Sequence, residues 1–156
     1  MNVNDDDCRT YAEHLRIEHS HIDRSLEELQ HLIANTAQWS KENPAPALLA
    51  RLVQLREQLA HHFREEEEGG CMEEAQSRSP SLSEDVRTLQ AEHAGFLAAV
   101  DGMIATAELL AKQPADLQCL QNAFSGFLHQ LHAHEAEENR ILLFGFGSPA
   151  MDTLST

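Results

Sequence analysis

Four stretches of the chain carry apolar residues in steps of three and four, the spacing that lines up one face of an α-helix. The first runs from about Tyr11 to Asn35, with Leu15, Ile22, Leu26, Leu29 and Ile33 as its stripe. Asp5, Asp6 and Asp7 stand before it, where negative charge suits a helix start. The second runs from about Pro46 to Glu68 on Leu48, Leu52, Leu55 and Leu59. Asn43 and Pro44 read as its N-cap and first helical residue. Gly69-Gly70 reads as its end or a weak point, with Cys71 to Gln76 able to continue it. The third runs from about Ser83 to Leu110 on Val86, Leu89, Phe96, Val100 and Met103, and Ser81-Leu82-Ser83-Glu84 fits a capping box at its opening. The fourth runs from about Asp116 to Leu143 on Leu117, Leu120, Phe124, Phe127, Leu131 and Ile141. Gly145 and Gly147 read as its stop, and the tail beyond as frayed. No strand pattern competes. Amphipathic helices joined by short loops predict an all-α fold, an up-down-up-down antiparallel four-helix bundle in one domain over residues 1–150.

Composition agrees with that pattern. The chain has 156 residues, enough for one domain with a core of its own, and 42% of them are hydrophobic. Lys and Arg number 11 against 26 Asp and Glu, a formal net charge of -15. Such a surface repels nucleic acid and anionic membranes, so neither is expected as a partner. No apolar run approaches the ~20 residues that span a bilayer. The opening MNVNDDDC is acidic and does not read as a signal peptide. Cys8, Cys71 and Cys119 lie far apart without metal-finger or CxxC spacing, so reduced thiols in a cytoplasmic protein are expected. Nothing in the sequence names a protein partner.

The register of the stripes brings in the chemistry. Continued in steps of three and four, the first stripe passes through His19, the second through His62 and Glu66, the third through His93, and the fourth through His134 and Glu138. His19 and His93 lie near the starts of their helices, and the other four near the ends of theirs. In an alternating bundle those starts and ends meet, so all six converge on one layer near one end. A lone core histidine is usually just hydrogen-bonded, and six such residues can form a buried polar network without metal. Yet buried carboxylates are costly unless paired, and two of them among four neutral imidazoles suit a metal cage better. Imidazole and carboxylate without thiolate fit iron, manganese or zinc. A His-x-x-x-Glu pair sets both side chains on one helix face, and two carboxylates can bridge two metals. His61 and Glu65 offer the same spacing one residue out of phase; the leucine phase selects His62 and Glu66. His14 and His61 remain candidates for supporting roles around the ligands. The Glu-x-x-His spacing of ferritin-like sites occurs only in the first helix, at Glu18/His21 and Glu28/His31.

At these residues the chain resembles the hemerythrin-like, or HHE cation-binding, family. The matching stretches are LRIEHSHIDRSLEEL, LAHHFREEEE, AEHAGFL and LHAHEAEENRIL, in that order. The resemblance implies a four-helix bundle with a non-haem centre of two iron ions (Fe2+/Fe3+), bridged by carboxylates and an oxo or hydroxo group. The ligands it implies are His19, His62, Glu66, His93, His134 and Glu138. The chain departs from the oxygen-carrying hemerythrins in two places: Leu97 stands where they have a second third-helix histidine, and His134 and Glu138 are four apart rather than five. The function implied is binding or sensing of a small oxidant: O2, peroxide or nitric oxide. An oxidoreductase acting on peroxide or nitric oxide, iron storage or delivery, and a purely structural bundle are the alternatives. Gly69 and Gly145, on the continued stripes beyond the metal layer, are expected either to end helices or to leave a short access path gated by Tyr11.

Overall fold

The computed structural model describes residues 5–35, 44–110, 112 and 117–146, and they form a bundle of long α-helices. Helix α1 spans Asp5–Ala34, α2 Ala45–Gly69, α3 Cys71–Arg78, α4 Ser83–Leu110 and α5 Leu117–Phe146; a 3-10 turn, Pro80–Leu82, joins α3 to α4. Helix α2 packs against α1 and α4, and α5 packs against α4, α3 and α1.

Several boundaries differ from expectation, each for a local reason. Helix α1 begins at Asp5 rather than Tyr11. Its stripe continues upstream through Ala12 and Cys8, both buried, and a cysteine behaves there as a small apolar residue. Asp6 and Asp7 therefore sit inside the first turns. Helix α2 is capped by Pro44, whose fixed φ of -80° suits a helix start; Asn43 lies outside the described residues. Gly70 adopts φ 76°, the left-handed region that glycine enters without steric cost. The chain turns there, and Cys71 opens a separate helix rather than prolonging α2. Ser83 Oγ donates back to the carbonyl of Pro80 at 2.8 Å, so the stretch expected as a capping box is used as a tight turn. Helix α5 runs through Gly145 to Phe146. The tail from Gly147 onward lies outside the described residues.

Helix α4 with its preceding turn, Pro80–Leu110, is long and apolar enough to cross a membrane by length and composition. This corrects the expectation that no run comes close. The core helix of a bundle meets the same test, and this one spends its stripe from Val86 to Leu110 on the interior and includes His93 in it.

The core is divided. One apolar cluster, from Ile22 and Leu59 through Phe63, Phe96 and Phe127, fills most of the bundle. A second gathers Cys8, Leu15, Met72, Leu82, Leu89 and Ile141 around the short helix α3. Between them lies a layer of buried polar side chains: His62, Glu66, His93, His134 and Glu138. The layer is thus roofed by packed side chains rather than left open at a bundle end.

Candidate metal centre

The helical stripes single out six residues, and the structure brings all six together. His19 comes from α1, His62 and Glu66 from α2, His93 from α4, and His134 and Glu138 from α5. Their donor atoms form two overlapping groups, His19/His62/Glu66/Glu138 and Glu66/His93/His134/Glu138. Each carboxylate belongs to both. Glu66 turns Oε1 toward His62 Nε2 at 2.7 Å and Oε2 toward His93 Nε2 at 2.9 Å. Glu138 turns Oε1 toward His134 Nε2 at 3.0 Å and Oε2 toward His19 Nε2 at 3.4 Å. His19 and His62 meet through their Nε2 atoms at 3.1 Å. His19 is the least enclosed, with 15% of its side chain exposed against 1% for Glu138. His61 and Glu65, one residue out of phase, lie outside this layer, with 58% and 31% of their side chains exposed.

Three further carboxylates hold the imidazoles, and register could not find them because they stand off the stripes. His62 Nδ1 donates to Glu18 Oε2 at 2.7 Å, His93 Nδ1 to Glu67 Oε1 at 3.0 Å, and His134 Nδ1 to Glu92 Oε2 at 2.8 Å. Each comes from the neighbouring helix and is next in sequence to one of the six: Glu18 to His19, Glu67 to Glu66, Glu92 to His93. That adjacency is the one signal the sequence offered. In the neutral form, with the proton held on Nδ1, the Nε2 atom of each ring would present a lone pair to the interior.

The electrostatics identify what the layer can hold. Glu66 Oε1, both oxygens of Glu138, and Nε2 of His93 and His134 are buried, and their close contacts with one another lack hydrogen-bond geometry. Buried acceptors left in this way cost free energy, and these all face one another. Burial and the charge of Glu138 push the Glu66 carboxyl up. Burial alone would lower the His62 pKa, but the carboxylates of Glu18 and Glu66 more than offset it and carry it to about 10. For His134, burial is likewise outweighed, here by Glu138 and Glu92, and the pKa reaches about 9. The layer is therefore a strong trap for positive charge. The donors are imidazole nitrogens and carboxylate oxygens, the set that suits iron, manganese or zinc. The residues present fit a pair of cations, each facing two imidazoles and sharing both carboxylates.

Aromatic rings screen this layer from below. Phe63 stacks on His93 with centroids 4.1 Å apart and planes within 7°, and Phe96 meets His134 edge-on at 5.1 Å. From the other side comes Tyr11, whose buried hydroxyl has no hydrogen-bond partner. Burial, with the charges of Glu66 and Glu138, pushes its pKa far above the ordinary tyrosine value, so it stays a protonated donor beside the carboxylates.

The glycine path is not there. A Cβ on Gly69 would lie 2.8 Å from the Tyr11 ring, and one on Gly145 would lie 2.5 Å from Ala75 Cβ and 2.8 Å from its Cα. Both glycines permit close packing rather than leaving space beside them. A cleft of about 480 Å³ lies on the side of the bundle between α4 and α5, lined by Glu92, Gly95, Phe96, Gln130, Ala133, His134 and Glu137. It reaches the centre at His134, and a Cβ on Gly95 would meet nothing within 4 Å.

Comparison with known proteins agrees with this geometry. The description of the hemerythrin HHE cation binding domain matches residues 10–143. That is most of the chain, and the chain belongs to this family. No curated protein and no solved structure matches it.

Proposed function

We propose that this member of the hemerythrin HHE cation-binding family is a non-haem di-iron protein that binds or senses a small oxidant: O2, peroxide or nitric oxide. The observation that carries the reading is the sharing of Glu66 and Glu138 between two pairs of histidines. The proposed ligands are His19, His62, Glu66, His93, His134 and Glu138, within a single domain over residues 1–150. Two iron ions held there supply Lewis acidity and one-electron redox chemistry. The chain's own residues supply the rest. Glu18, Glu67 and Glu92 orient the imidazoles, Phe63 and Phe96 keep water from the inner face, and Tyr11 offers a hydroxyl donor. The cleft at His134 is the proposed route for a small ligand.

The same reading takes α1, α2, α4 and α5 in up-down-up-down order. It needs the starts of α1 and α4 and the ends of α2 and α5 at one level, and the meeting of six side chains from those positions supports it. It also keeps the chain in the cytoplasm, where a reducing environment suits the buried free thiols of Cys8 and Cys71.

A second reading, an oxidoreductase acting on peroxide or nitric oxide, draws on the size of the cleft. A diatomic needs far less than about 480 Å³, so a small reductant could share it with the oxidant. Stopped-flow mixing separates the readings. Reduced protein mixed with O2, peroxide or nitric oxide should change its visible spectrum in a saturable step. Repeated turnover with added reductant would favour the enzyme, and indifference to all three oxidants would reject both.

A further inference from the structure

One residue outside the central layer on α1 and α2 lies a second convergence of metal-binding side chains, none of which is a ligand of the proposed centre. His14 and Glu18 lie four apart on α1, and His61 and Glu65 lie four apart on α2. Each pair therefore shares one helix face. The two pairs meet across the interface. Glu18 Oε1 is 3.2 Å from His14 Nε2 and 3.5 Å from His61 Nε2. Glu65 Oε1 is 3.0 Å from His61 Nε2, while Glu65 Oε2 contacts His14 Nε2. His14, Glu18 and Glu65 bring three donor atoms within 4.8 Å of one another, and His61 joins this group at its edge, through Glu18 and Glu65.

We propose that His14, Glu18, His61 and Glu65 form a second, solvent-facing site for one divalent transition-metal ion of the zinc or cobalt type. The donor set is two imidazoles and two carboxylates, a combination that holds such ions in four-coordinate geometry. Bonds of about 2.0–2.1 Å in a tetrahedron set neighbouring donors roughly 3.4 Å apart; the separations of 3.0, 3.2 and 3.5 Å lie near that value, and the shorter His14–Glu65 contact would have to widen to admit an ion. The two imidazoles are about half exposed, so an ion reaches them from solvent without opening the bundle. The formal charge of -15 draws cations toward the surface. The competing account is a pair of ordinary ion pairs between protonated histidines and glutamates, which requires no ion.

Glu18 faces both ways. Its Oε1 belongs to this outer cluster, and its Oε2 accepts from His62 Nδ1 at 2.7 Å. An ion bound outside withdraws charge from the carboxylate that supports His62, and so changes the inner centre; this coupling rests on the di-iron reading, whereas the outer site does not.

Titration of the purified protein with Co2+ tests both. The wild type should take up one Co2+ in a saturable step, with visible absorption of a four-coordinate ion and no release of iron. The double variant His14→Ala/His61→Ala, and separately Glu65→Gln, should lack that step and keep their iron. All three positions are surface-facing, so the fold is expected to survive, and circular dichroism checks it. The difference of one ion between wild type and variants is readable whether or not iron fills the inner layer. The absence of a saturable step in wild type, the same step in the variants, or uptake matched by iron loss would overturn the outer site. An iron spectrum unmoved through the Co2+ endpoint would overturn the coupling through Glu18.

Discussion

At the scale of single residues, the proposed centre rests on glutamates that are not ligands themselves but hold the ligand histidines. A ring nitrogen that donates to a carboxylate is fixed in tautomer and orientation and becomes a better base at its other nitrogen. Glu67→Gln and Glu92→Gln should each therefore lower metal affinity by about 10–100-fold, read by competition with a chelator. Glu137→Gln is the control: Glu137 is turned to the exposed Arg140, and its loss should leave affinity unchanged. Equal effects at all three positions would mean that surface charge, not orientation, matters. The six layer residues were legible because a stripe of leucines fixes phase: one residue separates His62 from His61, and Leu59 decides between them. Glu18, Glu67 and Glu92 were not legible, because each lies off the stripe in a chain with 26 acidic residues.

At the scale of elements, glycines of similar appearance do opposite things. Gly145 lets α5 approach α3 so closely that a Cβ would overlap Ala75. Gly145→Val should destabilise the protein by about 1–3 kcal/mol, the usual cost of overpacking, seen as a lower denaturant midpoint. Gly95 lies in open space beside the cleft. Gly95→Leu should slow the reaction of the reduced protein with O2 or nitric oxide in stopped-flow experiments, without loss of iron. An unchanged rate would mean that ligands enter by another route. Neither role is visible in sequence: Gly145, on a continued stripe, reads equally as a terminator, a space or a contact, and Gly95 stands off its stripe. The separate helix α3 was hidden for the same reason: Gly69-Gly70 marks an interruption, but only the left-handed φ of Gly70 turns the next helix back over the centre.

At the scale of the whole molecule, a polar layer divides two apolar clusters, and the fold must enclose Glu66 and Glu138 to close. Buried charges without partners oppose folding; cations binding only the native state favour it by mass action. At a free metal concentration of 100 times the dissociation constant the gain is about 2.7 kcal/mol. At roughly 2–4 °C per kcal/mol for a chain of this size, loading should raise the melting midpoint by about 5–11 °C. Thermal melts of metal-free and metal-loaded protein at neutral pH measure this, and coincident midpoints would break the link between layer and metal. Fold class was the most legible feature at this scale, because four long periodic stripes leave few alternatives to a helical bundle. The roof over the layer was legible only in part: Leu15, Val86, Leu89 and Ile141 lie on the stripes, whereas Cys8, Ala12 and the short α3 carry little apolar signal.

The central claim is that six convergent side chains hold two metal ions, and elemental analysis of protein from iron-replete cells tests it most directly. Wild type and His61→Ala should each carry two irons per chain, and His62→Ala and Glu66→Ala should carry little or none. One iron per chain in wild type, zinc in preference to iron, or a His61→Ala protein that is empty while His62→Ala is full would contradict it.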